Sequence, residues 1–155
     1  MAEIRVRAVG TADVALLATL HSACFADEPW GTEAMAEVLA IPGAFGFLAS
    51  ARGAAVGFLL ALDLGEECEI LTLGVLQRRR RRGVARLLLE RLLAAAASRP
   101  ILLEVAQDNR PALALYEGMG FVAVGRRPAY YRRPNGSVAA LTMRRTTPTP
   151  PPSRG

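Results

Sequence analysis

Apolar and polar residues along the chain alternate between strand-like and helix-like patterns, and the changes mark its elements. Ile4 to Ala8 reads as a first strand. An apolar-periodic helix follows to about Cys24, with Thr11 and Asp13 as candidate N-caps. Pro29 in the segment FADEPWG stops it. A short helix capped by Thr32 runs to about Leu39 and ends at Pro42-Gly43. Phe45 to Ala51 and Ala54 to Leu62 form a hairpin around Arg52-Gly53, and Glu67 to Val75 is a further strand. From Gly83 to Ala97 the period becomes helical, with Val84, Leu87, Leu88, Leu92 and Ala96 on one face. Pro100 to Ala106 is a short apolar strand. Pro111 sits in the first turn of the next helix, and Gly118 and Gly120 end it. Phe121 to Tyr131 and Val138 to Arg144 close the pattern around Pro134-Asn135-Gly136. The resulting order, β-α-α-β-β-β-α-β-α-β-β, predicts one mixed α/β (α+β) domain over residues 1–145. A Pro-rich tail at 146–155 is expected to be disordered or extended.

Composition narrows the class. At 155 residues with 52% hydrophobic side chains, the chain is long and apolar enough for one core. With aromatics at 6%, that core must come from Leu, Ala and Val. No apolar run approaches the roughly 20 residues that span a bilayer. The start, MAEIRVRAVG, lacks the apolar stretch of a secretory signal. Cys24 and Cys68 are too few for a disulfide framework or a zinc site, so no metal is expected. A reducing cytoplasm is the simplest setting.

Charge is concentrated. The chain has no Lys, and all 19 basic residues are Arg, five of them consecutive at 78–82. Without that run the net charge of +5 would vanish. One basic spot suits a single anionic ligand better than the broad face that nucleic acid requires.

The run has a specific context. Arg80-Arg81-Arg82-Gly83-Val84-Ala85 joins a strand to an apolar helix in the form R-x-x-G-x-A. A helix N-terminus presents unpaired amides to a phosphate. Gly83 lets the backbone approach the ligand, Ala85 keeps the next turn small, and Arg side chains add charge-assisted bonds. There is no Walker-type Lys and no G-x-G-x-x-G, so nucleoside triphosphates and dinucleotides fit less well than a pyrophosphate carrying a pantetheine arm. The competing reading is a solvated or RNA-contacting basic loop.

The run V-x-x-x-x-R-x-x-G-V-A resembles the acetyl-CoA loop of the GNAT superfamily of N-acetyltransferases. Gln77 stands where that family commonly has Pro, which leaves the start of the loop less rigid without removing its amides. The segment LLEVAQDNRPALALYEGMGFVAVGRRPAYYRRPNGSVAALTMRR, the spacing around Pro29-Trp30 and the strand CEILTLGV resemble the ribosomal-protein-alanine N-acetyltransferase (RimI-type) subgroup. The likeness covers about residues 3 to 145. It implies the GNAT fold: a central, mostly antiparallel twisted sheet of about seven strands and about four helices, with acetyl-CoA held in a V-shaped splay between two parallel strands.

Acetyl transfer needs a neutral amine, a stabilised oxyanion and a protonated leaving thiolate. An α-amine, with a reference pKa near 8, asks less of a base than Lys at about 10.4. Glu104 interrupts the apolar run Ile101–Val105, opposite in direction to Leu103 and Val105. It is either a base facing a cleft or a strand-end Glu paired to an Arg. Tyr116 is either a general acid or a packed helical aromatic. The resemblance assigns Glu104 as general base and Tyr116 as general acid. It also gives the Val75 backbone N–H the oxyanion role, with Leu73 and Val75 binding the pantetheine arm and thioester. Asn109 can cap the following helix or bond that arm. Tyr130 and Tyr131 can wall the acceptor peptide or pack across strands. Trp30 and Glu28 offer another wall, and His21 receives no role.

The expected function is acetyl-CoA-dependent acetylation of a protein N-terminus, with the alanine start of a small ribosomal-subunit protein as the candidate acceptor. A Lys or small-amine acceptor is the alternative. An RNA- or ribosome-binding module using Arg78–Arg82 is the reading from another class.

Overall fold

The computed structural model describes residues 3–146. Seven strands and four α-helices follow the expected order: β1 (Ile4–Ala8), α1 (Val14–Cys24), α2 (Thr32–Leu39), β2 (Ala44–Ala51), β3 (Ala54–Asp63), β4 (Cys68–Val75), α3 (Val84–Ala96), β5 (Ile101–Ala106), α4 (Arg110–Gly118), β6 (Val122–Arg133) and β7 (Gly136–Arg145). The chain forms two compact units, Met1–Ala97 and Ser98–Gly155.

In the first unit β1 to β4 form an antiparallel meander. A two-residue turn joins β2 to β3, with positive φ at both Arg52 and Gly53. Alternation along these strands serves two faces. Leu48, Phe58 and Leu60 point toward Leu17, Ala18 and Leu20 of α1 and Met35 of α2, forming one buried cluster. α3 covers the other face. The Arg91 guanidinium lies 5.2 Å over the Phe47 ring and donates to the Val6 carbonyl at 2.8 Å. At Gly57, an added Cβ would lie 3.1 Å from Val84 Cγ1. β4 therefore ends between two packed helices. Gly74 marks how tightly: a Cβ there would fall 2.8 Å from Phe58 Cε1 and 3.1 Å from Cys24 Cβ.

In the second unit β7 pairs antiparallel with both β5 and β6. Ile101, Leu103 and Val105 are buried while Leu102 and Glu104 are half-exposed, as alternation requires. The pairing of β6 with β7 shifts register between Arg127 and Tyr131. Three residues of β6 (Pro128, Ala129 and Tyr130) stand there against the single Ala139 of β7, and Ala129 has φ +53.

Three expectations are corrected. Thr11 does not cap α1 but opens a 3-10 turn, Thr11–Asp13; Asp13 is the N-cap residue as expected, yet its carboxylate takes the Gly10 N–H at 2.8 Å and the Arg7 guanidinium instead of a helix amide. Gly31, not Thr32, is the cap of α2, with Thr32 its first residue. In α3 the buried stripe contains Leu89, while Leu87 is half-buried. The tail expected to be disordered lies outside the described residues from position 147 onward.

Candidate active site

The first unit supplies a strand end, a loop and a helix N-terminus. Leu76 donates to the Val56 carbonyl at 2.9 Å, so the neighbouring pair, Val75 opposite Gly57, is a non-hydrogen-bonded one. The same alternation holds at Leu73 opposite Leu59. Leu73 and Val75 thus turn their N–H and C=O groups away from β3. Arg80 Nε donates to the Val75 carbonyl at 3.1 Å, folding the loop back onto the strand end.

Between them Gln77–Arg79 forms a 3-10 turn, so Gln77 gives a defined geometry where Pro would be rigid. Arg80 is extended, Arg81 has φ +63, and Gly83, at φ +78, is the N-cap of α3. No side chain caps α3, and its first-turn amides, Val84 to Arg86, have no i−4 carbonyl in the helix. A Cβ on Gly83 would meet nothing within 4 Å, so the space beside Gly83 is open. Val84 is buried and Ala85 half-buried, while Arg81 and Arg82 are exposed. An anion of diphosphate size is what such a helix end and its arginines accommodate.

The first unit also holds Trp30. Its ring stacks on His21 with centroids 4.4 Å apart, and its backbone N–H donates to His21 Nδ1 at 3.0 Å. His21 is buried at 3% exposure, and burial pulls its pKa down, which keeps Nδ1 an acceptor. Sequence reading gave His21 no role, yet it fixes the orientation of Trp30. Glu28, offered with Trp30 as a wall, is exposed.

The second unit carries the titratable groups. Glu104 pairs with Arg127 of β6 at 3.1 Å. Glu104 lies opposite Thr142 and Arg127 opposite Ala140, two positions along β7, so both side chains leave the same face. Of the two readings of Glu104, a base facing a cleft or a Glu paired to an Arg, the structure shows the pairing, with the Glu104 side chain keeping 27% exposure.

Asn109 caps α4, its Oδ1 accepting from Ala112 N at 3.3 Å. Tyr116, on the last turns of α4, is 7% exposed, with its ring edge-on to Phe121 at 5.5 Å. Burial pushes its phenol up to about 12. Its hydroxyl has no hydrogen-bond partner among the described residues, and no fully buried polar side-chain atom is left without one. The hydroxyl therefore stays in contact with solvent while the ring is packed.

The β6 bulge brings Tyr130 and Tyr131 edge to edge, with centroids 5.1 Å apart. Arg127 lies 5.4 Å over Tyr130, and Arg133 lies 5.5 Å over Tyr131. Arg133 grips Asp108 with two bonds, at 3.1 and 3.2 Å. Neither Arg127 nor Arg133 was singled out from the sequence. Their roles depend on a bulge and on partners 23 and 25 residues away, which no local spacing encodes. Among the described residues no group of His, Cys, Asp and Glu could hold a metal ion, and no helix is long and apolar enough to cross a membrane.

Known proteins share this architecture. The profile of the Acetyltransferase (GNAT) family matches residues 14–121. The N-alpha-acetyltransferase RimI of Mycobacterium tuberculosis is 37% identical over 152 residues, 95% of each chain. The ribosomal-protein-S18-alanine N-acetyltransferase of Escherichia coli superposes with a TM-score of 0.87 at 22% identity, covering 99% of both chains. NAA60 of Arabidopsis thaliana, in a structure with acetyl-CoA, gives a TM-score of 0.78 at 23% identity, covering 93% of this chain and 98% of that one.

Proposed function

The chain belongs to the acetyltransferase (GNAT) family, and we propose that it transfers the acetyl group of acetyl-CoA to the α-amino group of a protein N-terminus, working in the cytoplasm. The observation that carries the α-amine over other acceptors is the 37% identity to an N-alpha-acetyltransferase along 95% of both chains. The acceptor named for the Escherichia coli neighbour, a ribosomal protein beginning with alanine, is the first candidate here as well.

The residues present fit the cosubstrate. The uncapped first turn of α3, the open space at Gly83 and the guanidinium groups of Arg80, Arg81 and Arg82 suit a diphosphate. Leu73 and Val75 turn backbone donors and acceptors away from β3, where they can bond the amides of a pantetheine arm. When bound, acetyl-CoA supplies the thioester carbonyl to be attacked and the sulfur that leaves.

The chain's own groups divide the remaining work. Glu104 takes the proton of the acceptor's amine, directly or through water. The Val75 N–H is the donor offered to the developing oxyanion. Tyr116, neutral across the working pH range because its pKa is near 12, keeps its proton until the leaving sulfur takes it. Asn109 holds α4, and so Tyr116, through its cap. Trp30, Tyr130 and Tyr131 are the candidate walls for the peptide.

The test is acetyl-CoA turnover on peptides with a free α-amine, reading acetylation at the chain end separately from any Lys. Acetylation of the α-amine supports the reading. Turnover confined to Lys side chains or to small amines would replace it with the second acceptor class.

A further inference from the structure

We propose that His21 is a positioning residue for the acceptor: it holds the loop between α1 and α2, and with it Trp30, in one place, and so sets acceptor affinity rather than turnover. This rests on the α-amine reading above, in which Trp30 walls the peptide.

His21 ties both ends of that loop. Its carbonyl takes the Phe25 N–H at 2.8 Å, and its Nδ1 takes the Trp30 N–H at 3.0 Å. The second bond reaches across nine residues and closes the exposed stretch Phe25–Pro29. Pro29 has no N–H of its own to give there. The rings repeat the pattern. The imidazole lies 4.4 Å from the Trp30 ring and nearly parallel to it, 4.7 Å from Phe25 and 5.9 Å from Phe58 of β3. One buried side chain on α1 thus joins an exposed loop ring and a half-buried one to the sheet.

The anchor also stands in a telling place. His21 lies about one turn before Cys24 on α1. Cys24 Cβ is 3.1 Å from where a Cβ on Gly74 would stand, and Gly74 precedes Val75. Cys24, Trp30 and Leu76 all pack against the same buried cluster. Within the first unit, the loop anchor and the strand end proposed to meet the thioester therefore share one support.

A surface loop that samples several paths must be ordered when a peptide binds, and that ordering subtracts from affinity. A loop already tied to a buried acceptor atom needs no such ordering. His21 has no part in the proton transfers assigned to Glu104 and Tyr116, so its effect falls on binding and not on the chemical step.

The experiment measures kcat, acceptor KM and acetyl-CoA KM for wild type, His21→Asn, His21→Gln and His21→Leu. Asn carries its carbonyl oxygen at the reach of Nδ1, and Gln carries it one bond farther. The two amides therefore differ in where the acceptor sits and not in polarity. Acceptor KM should rise about tenfold in His21→Gln and His21→Leu, and stay within about threefold of wild type in His21→Asn. Both kcat and the acetyl-CoA KM should stay within about twofold throughout. In a Trp30→Ala background His21→Gln should add nothing, because the wall it holds is gone. Trp30 is the single Trp, so acrylamide quenching reads it alone. Quenching should increase in His21→Gln, and saturating acceptor peptide should reduce it in the wild type.

Equal acceptor KM values in the Asn and Gln variants, or a loss confined to kcat, overturn the positioning role. Full additivity of His21→Gln with Trp30→Ala overturns it as well, since His21 would then act by another route. The Asn–Gln comparison decides the matter even where His21→Leu does not fold. Failure of peptide to shield Trp30 overturns the inference while leaving α-amine acetylation standing. Absence of α-amine acetylation on every peptide removes the reading on which the inference rests.

Discussion

Phe121 stands edge-on to Tyr116 at 5.5 Å, and its backbone N–H bonds the Tyr116 carbonyl at 3.0 Å, so the residue that closes α4 also fixes the tyrosine ring. The Tyr116 ring is therefore held by packing, while its hydroxyl is the group proposed as general acid. Tyr116→Phe should leave thermal stability within about 1 kcal/mol of wild type, since no hydrogen bond is lost, while lowering kcat by about 10²-fold. Glu104→Gln should lower kcat on a similar scale. Because the phenol is pushed up to about 12, ionisation of Tyr116 should produce no falling limb in the kcat profile below about pH 10. Steady-state rates against pH, beside melting curves, check all three.

Gly83 combines a left-handed φ of +78 with open space in front of it. Gly83→Ala meets no atom, so its cost to folding is the backbone strain alone, about 1 kcal/mol. Coenzyme A binding should weaken further, because the methyl group enters the space a diphosphate would use. Calorimetric titration with coenzyme A, set against denaturant unfolding, separates the two effects.

Gly74 is constrained for the opposite reason. Its neighbours Phe58 and Cys24 leave no room for a methyl group. Gly74→Ala should cost about 1–3 kcal/mol by overpacking. It should also disturb Val75, the adjacent residue whose N–H we propose as the oxyanion donor. Urea unfolding measures the first effect and kcat the second.

His21 makes stability depend on pH. Its pKa is lowered by burial, so the folded state binds the proton less readily than the unfolded chain. The contribution is complete above the ordinary histidine value near 6.5 and is lost as pH falls below it, since protonation ends the acceptor role of Nδ1 toward Trp30. Wild-type stability should therefore decline between about pH 6.5 and 5 more than that of His21→Gln. Tryptophan fluorescence should report the change, since Trp30 is the single Trp.

Much of this organisation is legible in the sequence. The helical stripe of α3, the alternation around Glu104, the Arg52-Gly53 turn and the glycine at the start of α3 are each written in a few adjacent residues. What escaped depends on distance or on near-equivalent choices. Leu87 and Leu89 both border the α3 stripe, and only the sheet beneath decides which is buried. Thr32 is a better cap by type than Gly31, but the chain turns into α2 one residue earlier. Arg127 and its neighbour Arg126 look alike in sequence. Register with β7 places the first beside Glu104 and the second beside Gln107. His21 shows no signal, because its meaning lies in a ring nine residues on.

The irregularity at 127–131 has a further consequence for how the protein keeps to itself. β6 pairs with β7 alone, and it leaves Val122 and Val124 exposed at 61% and 55%. A flat, uninterrupted margin of that kind would invite a second molecule to add its own strand and begin a stack. Pro128 lacks the N–H such a stack needs, the left-handed Ala129 bends the ribbon out of line, and the flanking arginines would face their own copies across the seam. The kink that presents the two tyrosines thus also breaks the flatness of this edge.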